Sequence, residues 1–210
     1  LWAKAVELGW PAAAISEDAG GLGLGFSALT QLCEVLGRRT VSLPLIESAV
    51  IADISQCDEA VEAVAALSAG EAIGCIAFGE AGDNGVPAQP EVRIGSSGVT
   101  GSKHAVPYGA VADYALCLVS DEDAATGDAL ALVLVDLRHD GVERILRPVI
   151  DNARAMADLY FKQVPAIRIA TGDGRSKAAR ALAIAALATS FAQIGGTRTC
   201  LELSVEFAKE

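Results

Sequence analysis

The chain has few of the residue types on which several classes of active site depend. Its 210 residues include one methionine, Met156, and only two histidines, His104 and His139. Neither histidine lies in an HxxxH or HExxH spacing, so we predict no metal site built from this chain. The five cysteines form no CxxC pair and are odd in number, so we expect reduced thiols and a cytoplasmic protein rather than a disulfide framework.

Positive charge is also scarce. Lysine and arginine total 16 against 27 for aspartate and glutamate, which gives a net charge of −11. This balance repels phosphate backbones and anionic lipid head groups, so we expect no binding to nucleic acid. The apolar run at residues 181–192 is shorter than the roughly 20 residues that cross a bilayer, and we therefore predict no membrane span.

Hydrophobic residues, in contrast, make up 52% of the chain, and their periodicity divides it into three zones. Residues 1–72 follow helical spacing, residues 73–170 are rich in strand-forming residues between turns, and residues 171–210 return to helical spacing. In the first zone the predicted helices cover residues 1–8, 26–37 and 45–56, and a further segment from a cap at Asp58 to Gly70. In the second zone the predicted strands cover residues 73–78, 91–94, 112–119, 129–137 and 159–164.

This order of zones predicts an α+β multidomain protein with an N-terminal helical domain. No helix-length segment separates the strands of the middle domain, which favours an antiparallel β-barrel or sandwich over a parallel sheet. The last zone predicts one helix about 50 Å long, apolar on nearly every face of its first half, from a bundle that the chain does not complete. Because the sequence begins and ends within helical patterns, we expect it to be an internal piece of a longer polypeptide.

Local motifs do not by themselves assign a chemistry. The glycine-rich stretch at residues 20–25 could cradle a phosphate, but its spacing is not GxGxxG and no strand precedes it, so a turn between helices is the default interpretation. Lys103 and His104 could supply an acid, a base or an anion clamp, or could be solvated residues at the edge of a strand. Arg154 lies in a loop between two predicted strands, where a functional role and a surface ion pair are both open.

Several stretches, together with the order of the zones, resemble the acyl-CoA dehydrogenase family. They are residues 8–11 and 16–23, 77–83, 101–113, 157–165 and 203–210. Residues 77–83 are similar to the family's Thr-Glu-Pro and Gly-Ser-Asp segment. Residues 101–113 are similar to its Gly-x-Lys, Trp-x-Thr-Asn-Gly and Ala-Asp run. Near-complete coverage of the chain supports the resemblance.

The resemblance implies a fold, a cofactor and a reaction. The fold is a helical domain, a β domain and a C-terminal four-helix bundle, with FAD between the β domain and the bundle. The implied reaction is α,β-desaturation of an acyl-CoA thioester, in which a carboxylate removes the α-proton and the β-hydride passes to the flavin. The implied partners are an acyl-CoA substrate, an electron-transfer flavoprotein, and further subunits in a homo- or hetero-oligomer arranged as a dimer of dimers.

The resemblance also implies site residues. The catalytic base is expected beyond residue 210, so no catalytic residue is assigned to this chain. The implied cofactor-binding residues are Ala77, Phe78, Gly79, Gly82, Asp83, Ala105, Val106, Pro107 and Tyr108.

Three of these positions depart from the family pattern. Ala105 and Pro107 stand where the family commonly has Trp and Thr against the flavin, and Gly79 stands where it has Thr. Pro107 lacks an amide proton, so it could contact a flavin only by packing or through its carbonyl. These departures leave open a catalytically degenerate subunit of a heteromeric dehydrogenase. A flavin oxidase or monooxygenase of the same fold and a binding module without a cofactor are further alternatives, because a fold does not fix a function.

Overall fold

The computed structural model describes residues 1–82, 85–124, 129–151 and 153–209. Its helices are α1 (Trp2–Glu7), α2 (Gly25–Gly37), α3 (Leu45–Ile54), α4 (Val61–Ala69) and α5 (Gly174–Phe207). Its strands are β1 (Gly74–Ala77), β2 (Arg93–Gly95), β3 (Gly98–Val106), β4 (Tyr114–Asp121), β5 (Leu130–Asp136), β6 (Val142–Leu146), β7 (Ala157–Val164) and β8 (Ala166–Thr171). The α+β fold class with its helix, sheet and helix order is therefore confirmed.

The N-terminal helices end where the sequence supplies helix-breaking residues. Gly70 closes α4 with a left-handed φ of 72°, a conformation that glycine adopts at no steric cost. The predicted cap at Asp58 is wrong, because Asp58 lies inside a short 3₁₀ turn, Asp58–Ala60, that precedes α4. In the glycine-rich stretch, Gly20, Gly23 and Gly25 all have positive φ, as a tight turn into α2 requires.

Strands in the described part of the chain form one sheet in the order β6-β7-β3-β2-β4-β5-β8, with β1 paired to β4. The antiparallel pairings include a β2–β3 hairpin, but β1 and β2 both run parallel to β4. The expected all-antiparallel pairing is thus corrected to a mixed sheet. Parallel strands need a long connection, and here the strands β2 and β3 themselves lie in the connection from β1 to β4, in place of a crossover helix.

The central strands β4 and β5 are buried on both faces. Leu116 and Leu118 of β4 pack toward α3, α4 and α5, whereas the alternate residues Cys117 and Val119 pack among the other strands. Such strands read as continuous apolar runs, which is why they were predictable. In contrast, β3, β6 and β8 were not predicted. In β6, no residue is fully buried and two of the five are charged, so this strand gives no apolar pattern.

The long helix α5 has 34 residues and is therefore about 51 Å long. It approaches α2 closely at two glycines. A Cβ atom at Gly37 would lie 1.9 Å from the Ala192 carbonyl oxygen, and one at Gly195 would lie 2.0 Å from that of Glu34. Side chains larger than hydrogen at these two positions would force the helices apart.

The same helix has the length and composition of a membrane-spanning segment, and 22% of its most apolar 18-residue stretch is buried in the protein. Core helices of soluble proteins satisfy the same two criteria, so the criteria alone do not identify a span. Exposed apolar residues on α5 include Leu182, Leu187, Ile194, Leu201, Leu203 and Phe207. The expectation that no segment crosses a membrane stays a prediction.

Candidate functional site

One cleft of about 330 Å³ lies where the end of β3 and the segment after β1 meet α5. We call it the β3 cleft. The predicted cofactor-binding residues Phe78, Gly79, Ala105, Val106 and Pro107 line it, and Leu182 of α5 faces them. The fold thereby brings residues 78–79 and residues 105–107, which are 25 residues or more apart in sequence, to one wall of the cleft.

The other predicted residues lie elsewhere. Ala77 is completely buried in the core of the sheet, and Gly82 forms a left-handed turn away from the cleft lining. Tyr108 lines a second cleft, described below. Asp83 lies outside the described residues.

Backbone hydrogen bonding fixes the wall of the β3 cleft. The His104 amide donates to the Gly79 carbonyl oxygen at 2.9 Å, which joins the segment after β1 to β3. A Cβ atom at Gly79 would lie 3.1 Å from the His104 carbonyl oxygen, so a larger residue would press on this joint. Ala105 and Tyr108, at either end of the wall segment, have φ of 51° and 59°, which costs free energy for residues other than glycine.

Asp158 on β7 holds this unusual backbone in place. Its carboxylate accepts a hydrogen bond from the Ala105 amide at 2.8 Å and one from Arg147 Nε at 2.6 Å. His104 Nδ1 lies 3.2 Å from the second carboxylate oxygen. Burial alone would raise the pKa of Asp158, but the hydrogen bonds from Arg147 and the Ala105 amide, together with the nearby His104 ring, outweigh it and lower the pKa to about 2. The carboxylate therefore stays ionised at neutral pH.

The side chain of Lys103 points away from both clefts. It is fully buried, and its Nζ lies 2.5 Å from Glu80 Oε1 and 2.8 Å from the Leu118 carbonyl oxygen. The other carboxylate oxygen of Glu80, Oε2, accepts a hydrogen bond from the Glu91 amide at 2.6 Å. The readings of Lys103 as an acid, base, anion clamp or solvated edge residue are therefore wrong. Alternate residues of β3 face opposite sides of the sheet, and Lys103 faces the interior.

A second, larger cleft of about 540 Å³ lies between α2, α3, α5 and the loop before β7. We call it the α3 cleft. Its walls mix aliphatic residues with nearly as many polar ones, and the polar groups include Glu47 of α3, Arg154 and Tyr108. The Tyr108 hydroxyl lies 2.6 Å from Ser42 Oγ, within hydrogen-bond distance. Arg154, left open in the sequence analysis, lines this cleft and also forms a long, exposed ion pair of 3.8 Å with Asp151.

Glu47 is the most perturbed carboxylic acid of the described chain. Burial in the cleft raises its pKa from 4.5 to about 7, against the opposing effects of its own backbone amide and the charge of Arg154. Among the described residues, no cationic side chain lies within 4.0 Å of its carboxylate. Sequence reasoning missed Glu47, whose only signal was an acidic residue in the first turn of a mostly apolar helix.

The two clefts are neighbours along α5. Leu182 lines the β3 cleft, whereas Thr189 and Ala192 line the α3 cleft. At 1.5 Å per residue, their separation along the helix is roughly 10–15 Å. The wall segment at residues 105–108 connects the two clefts on the opposite side. Among the described residues, no group of three His, Cys, Asp or Glu side chains could hold a metal ion.

Comparison with known proteins gives the wider context. Residues 1–72 match the family described as acyl-CoA dehydrogenase, N-terminal domain. The chain is 25% identical to a variant of the Tcur3481-Tcur3483 steroid ACAD, with a TM-score of 0.83. The match covers 100% of this chain and 57% of that one. It is 22% identical to the ChsE4-ChsE5 complex from Mycobacterium tuberculosis, with a TM-score of 0.81 over 99% of this chain and 57% of that one.

A third structure is an acyl-CoA dehydrogenase complexed with FAD from Bacillus anthracis, 19% identical with a TM-score of 0.82. That match covers 99% of this chain and 38% of the other. No curated protein sequence matches the chain. The chain thus spans less than two thirds of the length of these structures. Residues 1–72 match the acyl-CoA dehydrogenase N-terminal domain family, and the chain as a whole has the acyl-CoA dehydrogenase fold.

Proposed function

We propose that the protein containing this chain is an FAD-dependent acyl-CoA dehydrogenase that desaturates an acyl-CoA thioester between Cα and Cβ. The observation that carries the proposal is the β3 cleft, where a wall of small residues faces α5 at the junction of the sheet and the last helix. The similarity to an FAD-complexed acyl-CoA dehydrogenase supports the choice of cofactor. An electron-transfer flavoprotein as acceptor and a cytoplasmic location belong to the same proposal.

The residues of the β3 cleft fit a flat, partly apolar ring. Gly79, Ala105 and Pro107 project little beyond the backbone, so a planar ring can lie against them. The volume of about 330 Å³ is near the lower end of the roughly 300–1,000 Å³ typical of ligand pockets, which suits a ring system rather than a whole dinucleotide. Phe78 and Leu182 supply the apolar sides of the cleft.

Bound FAD would supply the hydride acceptor that amino-acid side chains lack. The chain's own contribution is positioning. The Asp158 carboxylate holds the Ala105 amide, and the His104 amide holds the Gly79 carbonyl, so the wall is fixed before a ligand arrives. Such preorganisation lowers the free-energy cost of aligning reacting groups. Removal of the α-proton is assigned to a carboxylate outside residues 1–210.

The test uses the full-length protein. We expect the purified protein to carry FAD, or to take it up, and to lose its flavin absorbance when an acyl-CoA is added without oxygen. Ala105→Glu places a charged side chain on the wall and should weaken FAD binding at least tenfold. Ala3→Glu, on the exposed side of α1, is the matched control and should not. A colourless full-length protein that gains no flavin from added FAD, alone or with a partner chain, would overturn the proposal.

A second candidate is a subunit that supplies part of the fold to a heteromeric dehydrogenase while a partner chain holds the flavin and the base. Gly79, Ala105 and Pro107 favour it, because none offers a side-chain hydrogen bond or an aromatic cover to a ring. The similar ChsE4-ChsE5 structure is that of a complex of two different proteins, as this second candidate requires. Co-expression with a paralogous chain separates the two. One FAD per chain in a homo-oligomer supports the first proposal, and one FAD per pair of different chains supports the second.

A further inference from the structure

The far end of the wall segment is tied to the N-terminal helices through a side chain that the proposed function does not use. We propose that Tyr108, through its hydrogen bond to Ser42, is a positioning residue that holds the wall segment in the conformation that receives the flavin ring. This inference rests on the proposed function, since it concerns the wall that we assign to the flavin.

The two residues of this hydrogen bond come from different layers of the fold. Ser42 lies in the connection between α2 and α3, whereas Tyr108 follows β3 of the sheet. The Tyr108 hydroxyl lies 2.6 Å from Ser42 Oγ, and the two residues are 66 positions apart in sequence. Tyr108 is 5% exposed, and a buried tyrosine hydroxyl needs such a hydrogen-bond partner. The bond therefore links the wall of the β3 cleft to the N-terminal helices.

The backbone of Tyr108 has a conformation that needs support from its surroundings. Its φ of 59° lies in the left-handed region, which is costly for a residue with a Cβ atom. Pro107, which lines the β3 cleft, directly precedes Tyr108, so a change in this dihedral angle moves the end of the wall. The contact with Ser42 fixes the far end of the Tyr108 side chain and thereby opposes such a rotation.

Each end of the wall segment has its own anchor. At Ala105, whose φ is 51°, the amide donates to the Asp158 carboxylate at 2.8 Å, and both residues belong to the sheet. At Tyr108 the anchor is Ser42, which lies outside the sheet. The shape of the wall thus depends on the position of the N-terminal helices relative to the sheet. Loss of the Ser42 contact should loosen the wall from the Tyr108 end while the Asp158 contact remains.

The turn that follows the wall is the competing explanation for the conformation of Tyr108. The Tyr108 carbonyl oxygen accepts hydrogen bonds from the amides of Val111 and Ala112, both at 2.9 Å. These two bonds involve only the backbone, and neither involves the Tyr108 ring. If the turn alone held the wall, removal of the Tyr108 hydroxyl would leave flavin binding unchanged. Substitutions at the hydroxyl pair therefore separate the two explanations.

The experiment measures FAD binding by the full-length protein, or by its complex with a partner chain, in the absence of any acyl-CoA. Tyr108→Phe and Ser42→Ala each remove one hydroxyl of the pair. Each should weaken FAD binding by about threefold to tenfold, the range expected for one net hydrogen bond. Each should also shift the visible absorption bands of the bound flavin, whose electronic state responds to the surrounding protein groups. The double variant should bind FAD no more weakly than the weaker single variant, because both changes break the same contact.

Tyr114→Phe is the matched control. It also removes a tyrosine hydroxyl that takes part in a hydrogen bond, here with Arg138 at 2.8 Å, but Tyr114 lines neither cleft. This variant should change neither the FAD affinity nor the flavin spectrum. Thermal unfolding of the apoprotein reports the stability of each variant separately from its flavin binding. If one of the two test variants does not fold, the other carries the test.

Two results would overturn the inference while leaving the proposed function intact. The first is an unchanged FAD affinity and flavin spectrum in either folded single variant, even with a lower melting temperature. The second is a loss of FAD affinity that adds fully in the double variant, which would show that the two residues act on the flavin independently. If the wild-type protein binds no FAD, alone or with a partner chain, the proposed function fails and the inference fails with it.

Discussion

Replacing Glu47 with glutamine should stabilise the folded protein at neutral and alkaline pH. Burial raises the pKa of Glu47 from 4.5 to about 7, so between these two values the folded state binds a proton that the unfolded state has released. Stability therefore falls as the pH rises through this window, and the full loss is present above about pH 7. At 1.36 kcal/mol per pH unit, the loss is about 3 kcal/mol. Glutamine does not titrate, so Glu47→Gln removes the loss.

The assay is thermal unfolding of the full-length wild-type protein and the variant, at about pH 4.5 and about pH 8. We expect similar melting temperatures at the lower pH. At the higher pH the variant should melt several degrees above the wild type, because 1 kcal/mol shifts Tm by about 2–4 °C in a chain of 150–250 residues and by less in a longer one. Glu71→Gln, which changes an exposed acid outside both clefts, should show no pH-dependent difference. An equal difference at both pH values would refute the claim that the α3 cleft desolvates Glu47.

Two further predictions concern packing. Gly195→Ala should cost about 1–3 kcal/mol in the free energy of unfolding by urea, because the new Cβ would lie 2.0 Å from the Glu34 carbonyl oxygen. Gly196→Ala, with its nearest neighbouring atom 3.5 Å away, should be neutral or stabilising, and equal losses in both variants would contradict the close approach. Lys103→Met should cost about 3–5 kcal/mol by leaving Glu80 buried without its partner, and adding Glu80→Gln should recover part of the loss. No recovery in urea denaturation would refute the pairing.

The helices and the central strands could be predicted because their signals are local. Helical spacing ends at Gly70, which closes α4, and the apolar runs of β4 and β5 reflect burial on both faces. The parallel pairing of β1 with β4 could not be predicted in this way. The pairing depends on how the intervening strands are arranged in the sheet, and hydrophobic periodicity carries no information about strand order.

The candidate site, like the fold, was predictable only in part. The resemblance selected Gly79, Ala105 and Pro107, and the fold brings them to one wall. Glu47 could not be recognised, because its environment is formed by α2, the loop before β7 and α5, which are distant in sequence. Lys103 was misassigned because the orientation of β3 decides whether the lysine side chain faces solvent or contacts Glu80, and the local sequence does not show that orientation.

The most direct test of the central claim is an experimental structure of the full-length protein, or of its complex, with FAD bound. The account predicts that the isoalloxazine ring lies in van der Waals contact with Gly79, Ala105 and Pro107, with Leu182 of α5 on the opposite side of the cleft. A ring bound elsewhere on the β domain, or a β3 cleft filled by the protein's own side chains, would contradict it.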